Sequence, residues 1–169
     1  FAQRECCGVH CPFALKLVDR FGGAQIHWPR SNKAFPMTDL KLIALDAEDL
    51  EVVSAHVQDA VIRTADMGYA KADKRFALLM NRFDWTHDQP RAKGLRKRAA
   101  LHFDGVTSAA YAGFDPAAPE GVVELLAIHF EPTDAPSGIV ELRLAGGGTV
   151  RLGVDYLEAR LADFGAAWA

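Results

Sequence analysis

Val140-Glu141-Leu142-Arg143-Leu144-Ala145-Gly146-Gly147-Gly148-Thr149-Val150-Arg151-Leu152-Gly153-Val154 is the stretch on which the fold turns. Val140, Leu142 and Leu144 alternate with Glu141 and Arg143; past the glycines, Val150, Leu152 and Val154 alternate with Arg151 and Asp155. A period of two sends successive side chains to opposite faces of a strand, so each arm buries one face and wets the other. Gly146-Gly147-Gly148 supplies the positive φ angles of a tight turn, and the whole reads as a β-hairpin. The triplet is not a phosphate loop, because no helix start and no Gly-Lys-Ser/Thr follows it.

Working toward the N-terminus, residues 123–130 alternate as well, with Leu126, Ile128 and Phe130 against Leu125, Ala127 and His129. Ala99, Leu101 and Phe103 alternate with Arg98, Ala100 and His102, a strand that continues past Gly105 toward Tyr111 with a bulge. Arg75 to Trp85 is apolar on both faces for much of its length, as a central strand is. Residues 60–70 and 40–45 give shorter extended segments, and His87 to Gly94 reads as a loop. Between the first two strands the period changes. Asp46 precedes Leu50, Val53 and Val57, which share one stripe at 3.6 residues per turn, so a capped amphipathic helix is expected there.

Beyond the hairpin, Asp155 and Glu158 have the spacing of an acidic capping box, and Leu157, Leu161, Phe164 and Trp168 recur at i, i+4, i+7 and i+11. That pattern predicts a C-terminal helix packed on the sheet. The expected fold is therefore α+β: about six antiparallel strands in a sheet or roll, an N-terminal helix and a capping C-terminal helix. This order resembles a pleckstrin-homology-like roll, and a helix-backed open sheet would read identically.

The chain has 169 residues, half of them hydrophobic and about a quarter charged, which is the composition of a globular domain. A net charge of −3 gives no general attraction to nucleic acid, and no apolar run approaches the roughly 20 residues that cross a bilayer, so neither partner is expected. Residues 1–36 show no useful periodicity and carry +3, leaving −6 for the remainder. They read as an unstructured or non-native extension, with Met37 opening a single domain over 37–169. Cys6, Cys7 and Cys11 all lie in that extension, which points the body of the protein to a reducing, cytoplasmic compartment. Cys6, Cys7, His10 and Cys11 have no C-x-x-C spacing and no second pair downstream, so no metal centre is expected.

Candidate chemistry concentrates in three places. Asn81-Arg82-Phe83-Asp84-Trp85 ends a strand, where Arg82, Asp84 and Trp85 could bind an anion and stack on a ligand, although turn formation and core packing account for the same residues. Arg91, Lys93, Arg96, Lys97 and Arg98 put five positive charges into eight residues, a patch for an acidic partner or a solvated face. His102 and His129 occupy the polar phase of two strands and would pair if those strands were neighbours, with Asp104 or Glu131 close in sequence. No nucleophile elbow, zincin pair or Cys–His dyad occurs in the body, and neither a catalytic set nor a cofactor is expected.

Leu40-Lys41-Leu42-Ile43-Ala44-Leu45-Asp46, Arg75-Phe76-Ala77-Leu78-Leu79, Asn81-Arg82-Phe83-Asp84-Trp85 and Leu125-Leu126-Ala127-Ile128-His129-Phe130-Glu131-Pro132 resemble a bacterial, chiefly alphaproteobacterial, family described as domain of unknown function 2948. The likeness runs from Met37 to Trp168 and takes in Gly146-Gly147-Gly148 and Glu158-Ala159-Arg160-Leu161-Ala162-Asp163. It implies a one-domain cytoplasmic protein and brings no catalytic residue with it. The functional expectation is a small non-catalytic binding or adaptor domain acting on a protein or small molecule through Arg82, Asp84, Trp85, Arg96, Lys97, Arg98, His102 and His129. The alternatives are a metabolite-binding protein or enzyme with a histidine/carboxylate cleft, and a homodimer built through a sheet edge or the C-terminal helix.

Overall fold

The computed structural model describes residues 40–84 and 96–168, with side chains as far as Gly165. The first 36 residues with their cysteines, Trp85, and Arg91 and Lys93 of the loop lie outside that set. The elements are β1 Lys41–Ala44, α1 Ala47–Val57, β2 Ala60–Arg63, β3 Met67–Ala70, β4 Arg75–Phe83, β5 Arg96–Phe103, β6 Val106–Ala112, β7 Val122–Pro132, β8 Gly138–Leu144, β9 Thr149–Val154 and β10 Ala159–Trp168. All ten strands belong to one antiparallel sheet in the order β1-β10-β5-β4-β2-β7-β8-β9-β6, with β3 also paired to β4.

A folded ribbon rolls this sheet up. β5 runs into β6 across Asp104 and Gly105, while β9 runs into β10 across residues 155–158; β10 pairs β5, and β9 pairs β6. Asp104 N–H donates to Glu158 O at 3.0 Å and Asp155 N–H to Gly105 O at 2.9 Å, carrying the ladder around the corner. Gly105 sits there at φ +71°, and a Cβ on it would lie 2.8 Å from the Tyr156 ring, so the corner needs glycine twice over. Because β6 continues β5, the ladder β5-β4-β2-β7-β8-β9-β6 returns to the strand from which it started. The enclosed face carries Phe76, Leu78, Met80, Leu101, Phe103, Leu125, Ile128, Val140, Leu142, Val150 and Leu152, all buried.

α1 forms where the 3.6-residue stripe predicts it. Asp46 Oδ1 accepts from Asp49 N–H at 2.8 Å, and Leu50, Val53 and Val57 are buried. Ser54 Oγ accepts the Ile128 amide at 2.8 Å and ties the helix to β7. The hairpin also forms as read, β8 and β9 being joined through Gly146 and Gly147 at φ +80° and +85°.

The α+β expectation is corrected by the rest. The structure is mostly a ten-stranded antiparallel sheet, and α1 is the one α-helix among the described residues; a helix at each end of the fold and a count of about six strands do not hold. Residues 159–168 are β10, lying between β1 and β5. The capping C-terminal helix is absent, and the pleckstrin-like roll built on it goes with it. The physical reason is an ambiguity of period: four residues is close to one helical turn and is also two strand repeats, so Leu157 and Leu161 satisfy both patterns. Ala159, Leu161 and Asp163 are buried while Arg160 and Ala162 are half-buried, which is a strand's phase. Asp155 and Glu158 pair with Lys74 and Arg160 rather than capping a helix.

Candidate functional site

The register of β4 on β5 sets Arg82 directly opposite Lys97, and each stands in the core-facing phase of its strand. Arg82 follows Phe76, Leu78 and Met80; Lys97 precedes Ala99, Leu101 and Phe103. On the other side of β5, β10 brings Asp163 opposite Ala99, again facing inward. The Arg82 guanidinium grips Asp163 with both arms, Nε to Oδ1 at 2.8 Å and Nη2 to Oδ2 at 2.7 Å, and its Nη1 donates to Phe83 O at 2.9 Å. Lys97 Nζ lies 3.0 Å from Asp84 Oδ2 and 3.8 Å from Asp163 Oδ2. The Leu40 amide adds a hydrogen bond to Asp163 Oδ2 at 3.3 Å, while Asp163 N–H donates to Leu40 O at 3.0 Å.

These four side chains carry two positive and two negative charges and are almost wholly withdrawn from water, between 0 and 4% exposed. An unpaired charge so placed would cost several kcal/mol, so the quartet is tolerated because each member finds its opposite there. It pins the ends of β4, β5 and β10 and the lead-in to β1. Three of the residues expected to meet a ligand therefore spend their charge on one another. The fourth, Asp163, is hidden by the helical reading of its segment; a period-two reading of 157–163 places this acid inside with Ala159 and Leu161 and demands a cation opposite it.

Outside the roll, Arg96 lies over the Phe83 ring at 4.2 Å and donates to Asn81 O at 3.2 Å, whereas Arg98 is exposed. The part of the basic run within the described residues, Arg96, Lys97 and Arg98, thus lies on a strand, where Lys97 points inward and its two neighbours outward. His102, also on β5, stands beside Arg160 and Ala77 in the ladder. Its Nε2 is 3.2 Å from Asp104 Oδ2, and the other oxygen of Asp104 takes Arg75 Nε in a short contact. Burial lowers the His102 pKa from its ordinary value; Arg75 and Arg160 push the same way, and Asp104 opposes them.

His129 is exposed on β7, opposite Glu141 of β8. β5 and β7 are separated by β4 and β2, so the two histidines do not share a ladder position and the pairing on which a histidine cleft depends does not arise. Around Glu141 runs a surface charge ladder, with Arg143 Nε at 2.8 Å and Arg151 Nε at 3.8 Å. The Arg143 hydrogen bond holds the Glu141 carboxyl below the usual range, and Arg151 and His129 contribute in the same direction. Among the described residues no group of three or more His, Cys, Asp or Glu is arranged to hold a metal ion, and no helix is long and apolar enough to cross a membrane.

One further feature escaped the sequence reading, although its signal was in plain view. From Val106 to Phe114 no residue is charged and none is proline. This stretch contains β6, which ends the sheet and has β9 as its strand partner among the described strands. The opposite end of the sheet is β1, four residues long, with Lys41 exposed on it.

The model of a family described as "Protein of unknown function (DUF2948)" matches residues 40–169, and the chain belongs to that family. No curated protein and no solved structure matches the chain.

Proposed function

We propose that this DUF2948 chain is a non-catalytic binding module of the cytoplasm that takes its partner by strand addition along β6. The observation that carries the reading is the composition of that edge: past Val106, whose N–H donates to Lys74 O at 2.8 Å and whose carbonyl accepts from the Tyr69 hydroxyl at 3.0 Å, Thr107–Ala112 stands at the end of the sheet without a charge or a proline. Unpaired strand edges are templates for association, and proteins guard them with lysine, proline or short length. β1 has two of those guards, being short and bearing Lys41; β6 has none. Where an edge is left open, main-chain hydrogen bonds supply the attraction for an added strand. The reading is supported from the other side by the quartet, whose charges are already engaged, and by an interior filled with apolar side chains. The absence of cysteine from 37–169 suits a reducing compartment.

The test is cross-linked capture from lysate with the full chain and an Ala110→Lys variant as baits. Ala110 is exposed, so a lysine there leaves the fold intact and guards the edge. Loss of the captured set with the variant is expected. An unchanged set, with loss on Arg98→Glu instead, would move the binding face to β5.

A further inference from the structure

Resting on that reading of β6, we propose that the strand added to it is β6 of a second copy of this chain, paired antiparallel across a twofold axis. In such an isologous pair every residue meets the same strand it belongs to, so the strand must tolerate itself. Opposite residues of an antiparallel pair share a face, so with the axis at Ala110 that residue faces its own copy, Ser108 faces Ala112 on the solvent side and Ala109 faces Tyr111 on the inner side. No pair sets like charges against each other, because residues 106–114 have no charge to set. The solvent-side positions Ser108, Ala110 and Ala112 are small and exposed, and nothing bulky stands between the two backbones.

The nearest charge along that solvent-side row is Arg151 of β9, opposite Ala110. In the paired sheet the two copies of Arg151 would stand three strand spacings apart, roughly 14 Å, beyond the screening length of about 8–10 Å in physiological salt. Each already has acids nearby, Glu141 at 3.8 Å and Glu131 at 3.9 Å. Repulsion therefore does not reach across the seam. The same arrangement at β1 would bring two short strands together, each with an exposed Lys41.

A foreign strand is the poorer occupant on the same evidence. Recognition of a particular peptide takes pockets or charges that reject the others, and Ser108, Ala110 and Ala112 offer neither. A second copy needs no such selection, since the symmetry sets the register. The five residues Ser108 to Ala112 make a seam of about 17 Å, less than a standard-sized interface, so the association is reversible.

Sedimentation equilibrium of the full chain from low to high micromolar concentration tests this. Wild type is expected to pass from the mass of one chain to that of two. Ala110→Lys/Ala112→Lys, which crowds four lysines at the seam, is expected to weaken association about tenfold or more with an unchanged circular dichroism spectrum. Ala110→Thr, uncharged and strand-favouring, should retain it. A wild-type mass of one chain throughout, or association undiminished in the double lysine variant, overturns the inference. If wild type stays at one chain while Ala110→Lys still loses its captured set, the second-copy inference alone fails; if that set is kept as well, the edge reading fails with it.

Discussion

Two groups of charges on this sheet have similar chemistry and opposite weight. The inner group is Arg82, Lys97, Asp84 and Asp163, sealed at the ends of β4, β5 and β10. The outer group is Glu131, Glu141, Arg143 and Arg151, spread in water over β7, β8 and β9, with side chains from 27 to 74% exposed. In the outer group water screens each pair and can replace either partner. In the inner group nothing can replace a missing partner, and loss of one leaves a stranded charge. A run of charges in a sequence is therefore no guide to a binding surface until its phase on the strand is known: Lys97 and Arg98 are adjacent, and one supports the fold while the other faces solvent.

The largest expected effect comes from breaking the inner group on one side. Asp163→Ala leaves Arg82 and Lys97 buried with Asp84 alone, and urea unfolding should show a loss of about 3–5 kcal/mol. A loss under about 1 kcal/mol would place the two groups in one class and end the contrast. Removing the pair whole, as Arg82→Met/Asp163→Leu, sharpens it: that variant should recover most of the stability lost by Asp163→Ala, because the cost lies in the unpaired charge. A double variant no better than the single would mean that the pair itself supplies net stability.

His102 stands between the two extremes, buried on the outer face beside a carboxylate and two arginines. Its folded pKa lies below the ordinary 6.5, so between those two values the unfolded chain binds more protons and folding is penalised. Stability from this residue is present above about pH 6.5 and declines as the pH falls, by no more than about 1.4 kcal/mol per unit for one proton. Melting temperature against pH should show that decline in wild type and a shallower one in His102→Gln; parallel curves would remove His102 as the cause. The smallest effect belongs to the outer group. Glu141→Ala should cost less than about 1 kcal/mol and less still in high salt. A larger, salt-insensitive cost would contradict its assignment to the solvated class.

The legible parts of the fold were the local ones. The hairpin around Gly146-Gly147-Gly148 and the stripe Leu50, Val53, Val57 each rest on neighbours in sequence, and both appear as read. β10 was missed because Leu157 and Leu161 fit either period, and the residue that would have decided between them, Asp163, makes sense inside only once Arg82 is set near it from 81 residues away. Strand β7 shows the same limit on a smaller scale. A register shift between Leu125 and Ala127 changes its phase, so Leu125 and Ile128 are buried while Leu126 is 42% exposed, and simple alternation fails there. Of the site, Arg82, Asp84 and Lys97 were legible as residues that do something, but their role depends on a register of β4, β5 and β10 that no short stretch encodes.

Amide hydrogen exchange of the full chain at two protein concentrations tests the central claim most directly, because it reads the charged interior and the uncharged edge together. The account predicts slow, concentration-independent exchange in β4 and β10 around Arg82 and Asp163, and protection in β6 that rises with concentration. Protection in β6 that ignores concentration, together with a concentration-dependent change on the outer face of β5 around Arg98, would contradict it.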